Sequence, residues 1–171
     1  MSTNFGGRTL ETNLQGGETP WFSTASDWPM SMSFNYWISG NVNGSPYYTE
    51  DPAPYSGHKL TQTEYNANLT ADIWNGGYPG YPLAADVEEY PGGTPYLNGH
   101  NTNLEIQHWV ALYGYSSFGG FTDYIDPIYG SALNHTSGFN VNAFNTGFPS
   151  SSMFALVTYA SPHHGPFGIV W

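Results

Sequence analysis

Gln107-His108-Trp109-Val110-Ala111-Leu112-Tyr113-Gly114-Tyr115, followed after a short turn by Phe121-Thr122-Asp123-Tyr124-Ile125-Asp126-Pro127, is the stretch on which the fold turns. His108 to Tyr115 is a compact run of apolar and aromatic residues suited to a strand. Ser116-Ser117-Phe118-Gly119-Gly120 is a turn sequence, and Phe121 to Ile125 is a second strand. The two form a hairpin. Because a hairpin returns its second strand to the start of the first, His108 and Asp126 are expected at the same end of the sheet. A carboxylate beside an imidazole fixes its tautomer and stabilises the imidazolium. An imidazolium in turn lowers the pKa of a neighbouring thiol and activates it.

Upstream, Thr61 and Glu64 have capping-box spacing, and Tyr65, Leu69 and Ile73 recur every four residues until Gly76 and Gly77. That pattern predicts a helix. Pro82 to Val87 reads as a buried strand, residues 90–103 as a loop rich in Pro, Gly and Asn, and Met153 to Ala160 and Gly168 to Trp171 as two more strands. Residues 130–151 read as a loop or a short surface helix. Further upstream, Ser26 or Asp27 can cap a short helix that Gly40 ends, with Met30, Phe34, Trp37 and Ile38 on one face. Asn41 to His58 reads as strand plus loop, and residues 1–25 as an irregular lead-in. The expectation is one α+β domain over residues 26–171, rich in strands and loops, with an antiparallel sheet and few short helices.

The chain has 171 residues, enough for one domain with a real core. Its apolar content is weighted to aromatics, with 6 Trp, 14 Tyr and 10 Phe, and 21 Gly and 13 Pro break it often. Only Arg8 and Lys59 are basic against 13 acids, a formal net charge of -11. Nucleic acid needs clustered Lys and Arg, and an anionic membrane surface needs the same, so neither partner is expected. Charged residues make up 9% of the chain, with Asn, Ser, Thr, Gly and Tyr in their place, which resembles secreted and cell-surface proteins. Cysteine is absent, which excludes disulfides, thiolate metal sites and a cysteine nucleophile within the chain. No basic-then-apolar stretch opens the sequence and no apolar run approaches a membrane span, so neither a leader nor a span is expected in it.

His-Trp-Val-x-x-x-Gly-Tyr at 108–115, followed by a turn and Tyr-x-Asp-Pro at 124–127, resembles the bacteriocin-processing (double-glycine-leader) cysteine peptidases and their secreted bacterial relatives, in the papain-like superfamily. Leu69-Thr70-Ala71-Asp72-Ile73-Trp74-Asn75-Gly76, Tyr81-Pro82-Leu83-Ala84, Phe34-Asn35-Tyr36-Trp37 and Tyr47-Tyr48 extend the likeness, which spans roughly residues 26–130. The resemblance implies a papain-like sheet with His108 as general base and Asp126 as its orienting partner. Trp109, Tyr124, Trp74 and Tyr81 would line the binding surface around them. It also implies a glutamine and a cysteine on an earlier helix, and this chain carries neither the cysteine nor a matching helix. Ser31 and Ser33 lie near the first candidate helix without an oxyanion-hole motif beside them.

Other features carry two readings each. His108 is either the base or a strand-end histidine bonded to a backbone carbonyl. His163-His164, with His135 and His100, invite a metal reading, but adjacent histidines on a strand point to opposite faces, and a solvated loop is the expectation. Glu88-Glu89 reads as a solvated strand end, or with Asp86 as a calcium site. Trp74, Tyr78, Tyr81 and Tyr90 read as core and turn packing, or as a sugar-stacking platform. Three sequons begin at Asn43, Asn68 and Asn134. No metal or cofactor is called for.

The function expected is that of a secreted or cell-surface peptidase-like domain without its own nucleophile, a pseudoenzyme acting by binding or assembly. Its partner would be a peptide or protein segment, or another copy of itself, covering the surface near His108. Two alternatives stand beside it. One is a split peptidase whose Gln and Cys helix comes from another segment, which requires an exposed apolar groove beside His108. The other is an extracellular self-assembling protein.

Overall fold

The structure, a computed structural model, describes residues 4–5, 8–9, 50–51, 59–75, 78–79, 82–159 and 168–170, with side chains for 59–73, 82–159 and 168–170. The described strands are β1 (Asn4–Phe5), β2 (Arg8–Thr9), β3 (Glu50–Asp51), β4 (Trp74–Asn75), β5 (Tyr78–Pro79), β6 (Leu83–Glu89), β7 (Ile106–Ser116), β8 (Phe121–Ile125), β9 (Phe144–Pro149) and β10 (Gly168–Val170). The described α-helices are α1 (Gln62–Ile73) and α2 (Ser150–Thr158), with short 3₁₀ turns at Ser117–Gly119 and Pro127–Gly130. This is a small α+β protein with an antiparallel sheet. Its five strands run β10-β6-β7-β8-β9, and the two-residue β3 pairs with the outer side of β10.

The expected helix at Thr61 forms as α1, and the capping box is intact. Thr61 N–H donates to Glu64 Oε2 at 2.8 Å, and Glu64 N–H donates to Thr61 Oγ1 at 3.2 Å. Tyr65 and Leu69, four residues apart, turn inward. The hairpin also forms, as β7 and β8, and the strand expected at Pro82 to Val87 forms as β6, which starts at Leu83 and runs on to Glu89. Gly168 to Val170 is the strand β10.

Two expectations are corrected. Met153 to Ala160 is not a strand: Ser150–Thr158 is the helix α2. Met153, Leu156 and Val157, spaced three and four apart, are its buried face, so an apolar run that suited a strand instead follows the helical period. Residues 130–151 are not simply loop or surface helix, because Phe144–Pro149 is the edge strand β9. The helix expected from Ser26 and residues 52–58 lie outside the described residues, as do Ser31, Ser33 and Tyr81. Of Asn41 to His58 only the strand Glu50–Asp51 is described, and of the lead-in only β1 and β2.

Alternation along the strands builds the core. Leu83, Ala85 and Val87 of β6 share a face with Val110 and Leu112 of β7 and Tyr124 of β8, and both helices cover that face with Tyr65, Leu69, Met153, Leu156 and Val157. A buried hydroxyl chain ties helix to sheet to helix: Tyr65 Oη lies 3.0 Å from Thr122 Oγ1, which lies 2.7 Å from Ser150 Oγ.

The pairing slips on both sides of β8. Between Leu112 and Gly114 the strand β7 carries one extra residue, and between Thr122 and Tyr124 the slip falls on β9. Asp123 lies at both slips, and its Oδ1 accepts the Gly147 N–H at 2.8 Å. Tyr115 therefore packs with the core although it is an odd number of residues from His108.

The hairpin tip is formed by Ser117, Phe118 and Gly119, all at positive φ (51°, 56° and 84°). It holds Phe118 99% exposed.

Candidate functional site

At the end of β6 and β7 away from the hairpin tip, polar groups enter the core face. The alternation that points Leu83, Ala85 and Val87 inward also points Glu89 inward, and cross-strand pairing with Val87 puts His108 on the same face. Asp126 follows β8 two residues after the buried Tyr124, so it too faces in. The predicted proximity of His108 and Asp126 is present: their ligating atoms lie within 4.8 Å. They are not hydrogen-bonded to each other.

Asp126 instead serves two other groups. Its Oδ1 accepts the Ile128 N–H at 2.9 Å, capping the 3₁₀ turn Pro127–Gly130. Its Oδ2 lies 2.8 Å from His100 Nε2. On the other side of that ring, His100 Nδ1 lies 2.5 Å from Glu89 Oε2. Glu89 Oε1 accepts the Leu97 N–H. His100 is thus clamped between two carboxyl groups, all three side chains out of contact with solvent.

The loop that carries His100 is pinned along its length. Asn98 N–H donates to Tyr124 Oη at 2.9 Å, and Asn140 N–H donates to the Gly99 carbonyl at 2.8 Å. Gly99 has φ +82°, and a Cβ there would lie 2.1 Å from the Asn140 carbonyl oxygen, so only glycine fits. The facing loop is fastened by Asn134, whose amide nitrogen donates to the Tyr129 and Val141 carbonyls. Its Oδ1 accepts from Val141 and His135 N–H. Ile128, Phe139 and Val141 make a small apolar cluster beside it, and the Phe139 ring meets His100 edge-on at 5.5 Å.

His108 lies against His100 with ring centroids 5.1 Å apart. Both of its ring nitrogens are buried and neither has a hydrogen-bond partner. The electrostatics separate the two rings. Burial pushes the His100 imidazole down, but its bonds to Asp126 and Glu89 more than reverse this and raise it to about 9. Burial pushes His108 down to about 4, with Asp126 opposing and His100 reinforcing. Burial raises the Glu89 carboxyl, against the pull of its bond to His100. At neutral pH the cluster holds an imidazolium at His100 and a neutral ring at His108.

The remaining sequence candidates are placed as follows. Tyr124 is fully buried, its ring edge-on to Phe148 at 5.6 Å, which takes it out of reach of a surface ligand. Trp109 is half-buried on the sheet face opposite the helices, level with Asp86. The Trp74 side chain and the whole of Tyr81 lie outside the described residues, as do His163 and His164. His135 is exposed in the loop after the 3₁₀ turn. Glu88 and Glu89 are not a solvated strand end, because both are fully buried. Alternation sends Glu89 into the cluster and Glu88 with Asp86 to the opposite face, so the three do not converge as a calcium set.

Sequence reasoning missed the role of His100. The hairpin located His108 and Asp126, but a loop histidine has no periodicity to place it. One signal was legible: Glu89 continues the inward phase of Leu83, Ala85 and Val87, and an inward carboxylate needs a partner. No protein-family model, curated protein or solved structure matches the chain.

Proposed function

We propose that the chain is a secreted or cell-surface domain of papain-like cysteine-peptidase type that acts by binding or assembly, without hydrolysing peptides itself. One observation carries the reading. The imidazole that the resemblance assigns as general base has both nitrogens sealed inside the chain, and its orienting carboxylate is engaged by His100. A base works only within hydrogen-bond reach of the proton it takes. Neither nitrogen of His108 touches a hydroxyl or an amide, and the chain has no thiol. The same burial weighs against a split peptidase, which requires an open groove at this ring.

The contact surface lies elsewhere on the described residues. Phe118 stands at the hairpin tip, and Phe121 and Phe144 are exposed on the face of the sheet opposite the helices. Phe144, 67% exposed, lies on the edge strand β9 and stacks edge-on against Tyr113 at 5.9 Å. Aromatic side chains beside the strand that ends the sheet among the described residues suit contact with another polypeptide, including a second copy. The low charge and Tyr- and Asn-rich composition support an extracellular setting.

The test combines two measurements on the purified chain. Incubation with a broad peptide panel is expected to give no turnover. Robust turnover abolished by His108→Ala would overturn the proposal. Sedimentation over a wide concentration range, for the parent and Phe118→Ser/Phe144→Ser, decides between self-assembly and a foreign partner. A strict monomer at high concentration removes the self-assembly form.

A further inference from the structure

We propose that His100, His108 and Asp126 form a binding site for one divalent metal ion of the zinc class, with Glu89 orienting His100 from behind. This goes beyond the binding role above and does not depend on it. The first ground is geometry. One ligating atom from each of the three side chains lies within 4.8 Å of the others. Zinc bonds of about 2.0–2.2 Å place tetrahedral donors roughly 3.4 Å apart, so side-chain shifts of about an ångström, with His100 Nε2 and Asp126 Oδ2 parting from their 2.8 Å contact, bring the three donors to that spacing.

The second ground is His108. A buried polar group with no partner is rare and costs roughly 1–3 kcal/mol, and an ion is one of the few occupants that explains it. His108 has two such atoms in one ring. A proton between His100 and Asp126 satisfies those two residues and leaves His108 with nothing. An ion satisfies all three.

The third ground is the contact behind the ring. The Glu89 carboxylate holds the proton on His100 Nδ1, so Nε2, which faces Asp126, is the nitrogen that gives up its proton and turns its lone pair to an ion. A carboxylate in that position is the usual support of a metal-bound histidine. Glu89 is itself held by the Leu97 N–H.

Charge and donor type choose the ion. Two carboxyl groups and two imidazoles converge with no Lys or Arg hydrogen-bonded to them among the described residues. Two imidazole nitrogens with one carboxylate oxygen suit Zn²⁺, Co²⁺ or Ni²⁺ over the oxygen-seeking Ca²⁺ and Mg²⁺. In the binding step the ion forms bonds to His100 Nε2, one His108 nitrogen and Asp126 Oδ2, and the proton on His100 Nε2 leaves to solvent.

The experiment uses the full chain, stripped with a chelator and exchanged into chelator-free buffer. It is titrated with ZnCl₂ against a chromophoric zinc indicator, and with CoCl₂ followed by visible absorption. One equivalent bound, with proton release and Co²⁺ ligand-field bands, is the expected result. His108→Ala should weaken binding roughly tenfold or more and Glu89→Gln by a similar factor, while His135→Ala, in the exposed loop, leaves it unchanged. Far-UV circular dichroism checks each fold, and His108→Gln replaces the alanine variant if that one unfolds. Absence of stoichiometric uptake by the parent overturns the proposal. So does unchanged affinity in both His108 variants, or a preference for Ca²⁺ over Zn²⁺.

Discussion

Kept free of metal by a chelator, the chain should be most stable near pH 6.5 and lose stability on either side, because two adjacent histidines are perturbed in opposite senses. His100 is held protonated by Glu89 and Asp126, its value raised from 6.5 to about 9. A raised value contributes stability that is complete below 6.5 and is lost as pH climbs through 9. The interval of about 2.5 pH units corresponds to roughly 2–3 kcal/mol. His108 is kept neutral by burial, its value lowered from 6.5 to about 4. The unfolded chain takes up a proton there that the folded chain refuses, so stability declines as pH falls from 6.5 towards 4, again by roughly 3 kcal/mol. Glu89, raised by burial, works against that acid-side loss, so the alkaline limb is the better defined. The assay is urea unfolding followed by tryptophan fluorescence at half-unit steps from pH 4 to 9.5, with EDTA throughout. His100→Gln should flatten the alkaline limb, and His108→Phe should flatten the acid limb. A profile flat between pH 6.5 and 9, or an alkaline limb unchanged in His100→Gln, would refute the assignment of a charged imidazole between two carboxylates.

Three further outcomes follow from the same packing. Gly99→Ala forces a Cβ onto the Asn140 carbonyl at positive φ, and should cost about 2 kcal/mol or more in urea unfolding while disturbing the pH profile set by the adjacent His100. Asn134→Ala removes a buried amide that serves four backbone groups, and should cost about 2–4 kcal/mol, with amide exchange accelerating first at Val141. Tyr65→Phe breaks the hydroxyl chain to Thr122 and Ser150, and should lower stability by about 1–2 kcal/mol without altering the limbs of the pH profile.

Local chemistry explains which parts of this fold were legible in the sequence. The Thr61–Glu64 box marks where α1 begins because both reciprocal bonds are made within four residues. The β7–β8 hairpin was legible because its apolar run and its turn are contiguous. Ser150–Thr158 misled, since Met153-Phe154-Ala155-Leu156-Val157 satisfies a buried strand as well as a helix. Only packing on the sheet selects the three- and four-residue spacing. Phe144-Asn145-Thr146-Gly147-Phe148-Pro149 carries Asn, Gly and Pro, which mark loops in isolation and are tolerated in an edge strand. At the site, strand phase sufficed for His108 and Asp126. His100 arrives by a tertiary route, through the Gly99 turn and the Asn140 contact, which no local pattern records.

The two slips flanking Asp123 separate the sheet into a part that must keep count and a part that need not. Strand β8 runs unbroken from the tip to Asp126, while its neighbours each take up a surplus residue at the same level. Lineages that lengthen or trim the hairpin by one residue near Tyr113 or Gly147 can therefore do so without reversing the inward phase of Glu89, His108 and Asp126. Insertions between those levels and the cluster have no such buffer. Length variation among descendants of this chain should accordingly collect on the Phe118 side of Asp123 and stop short of the histidines.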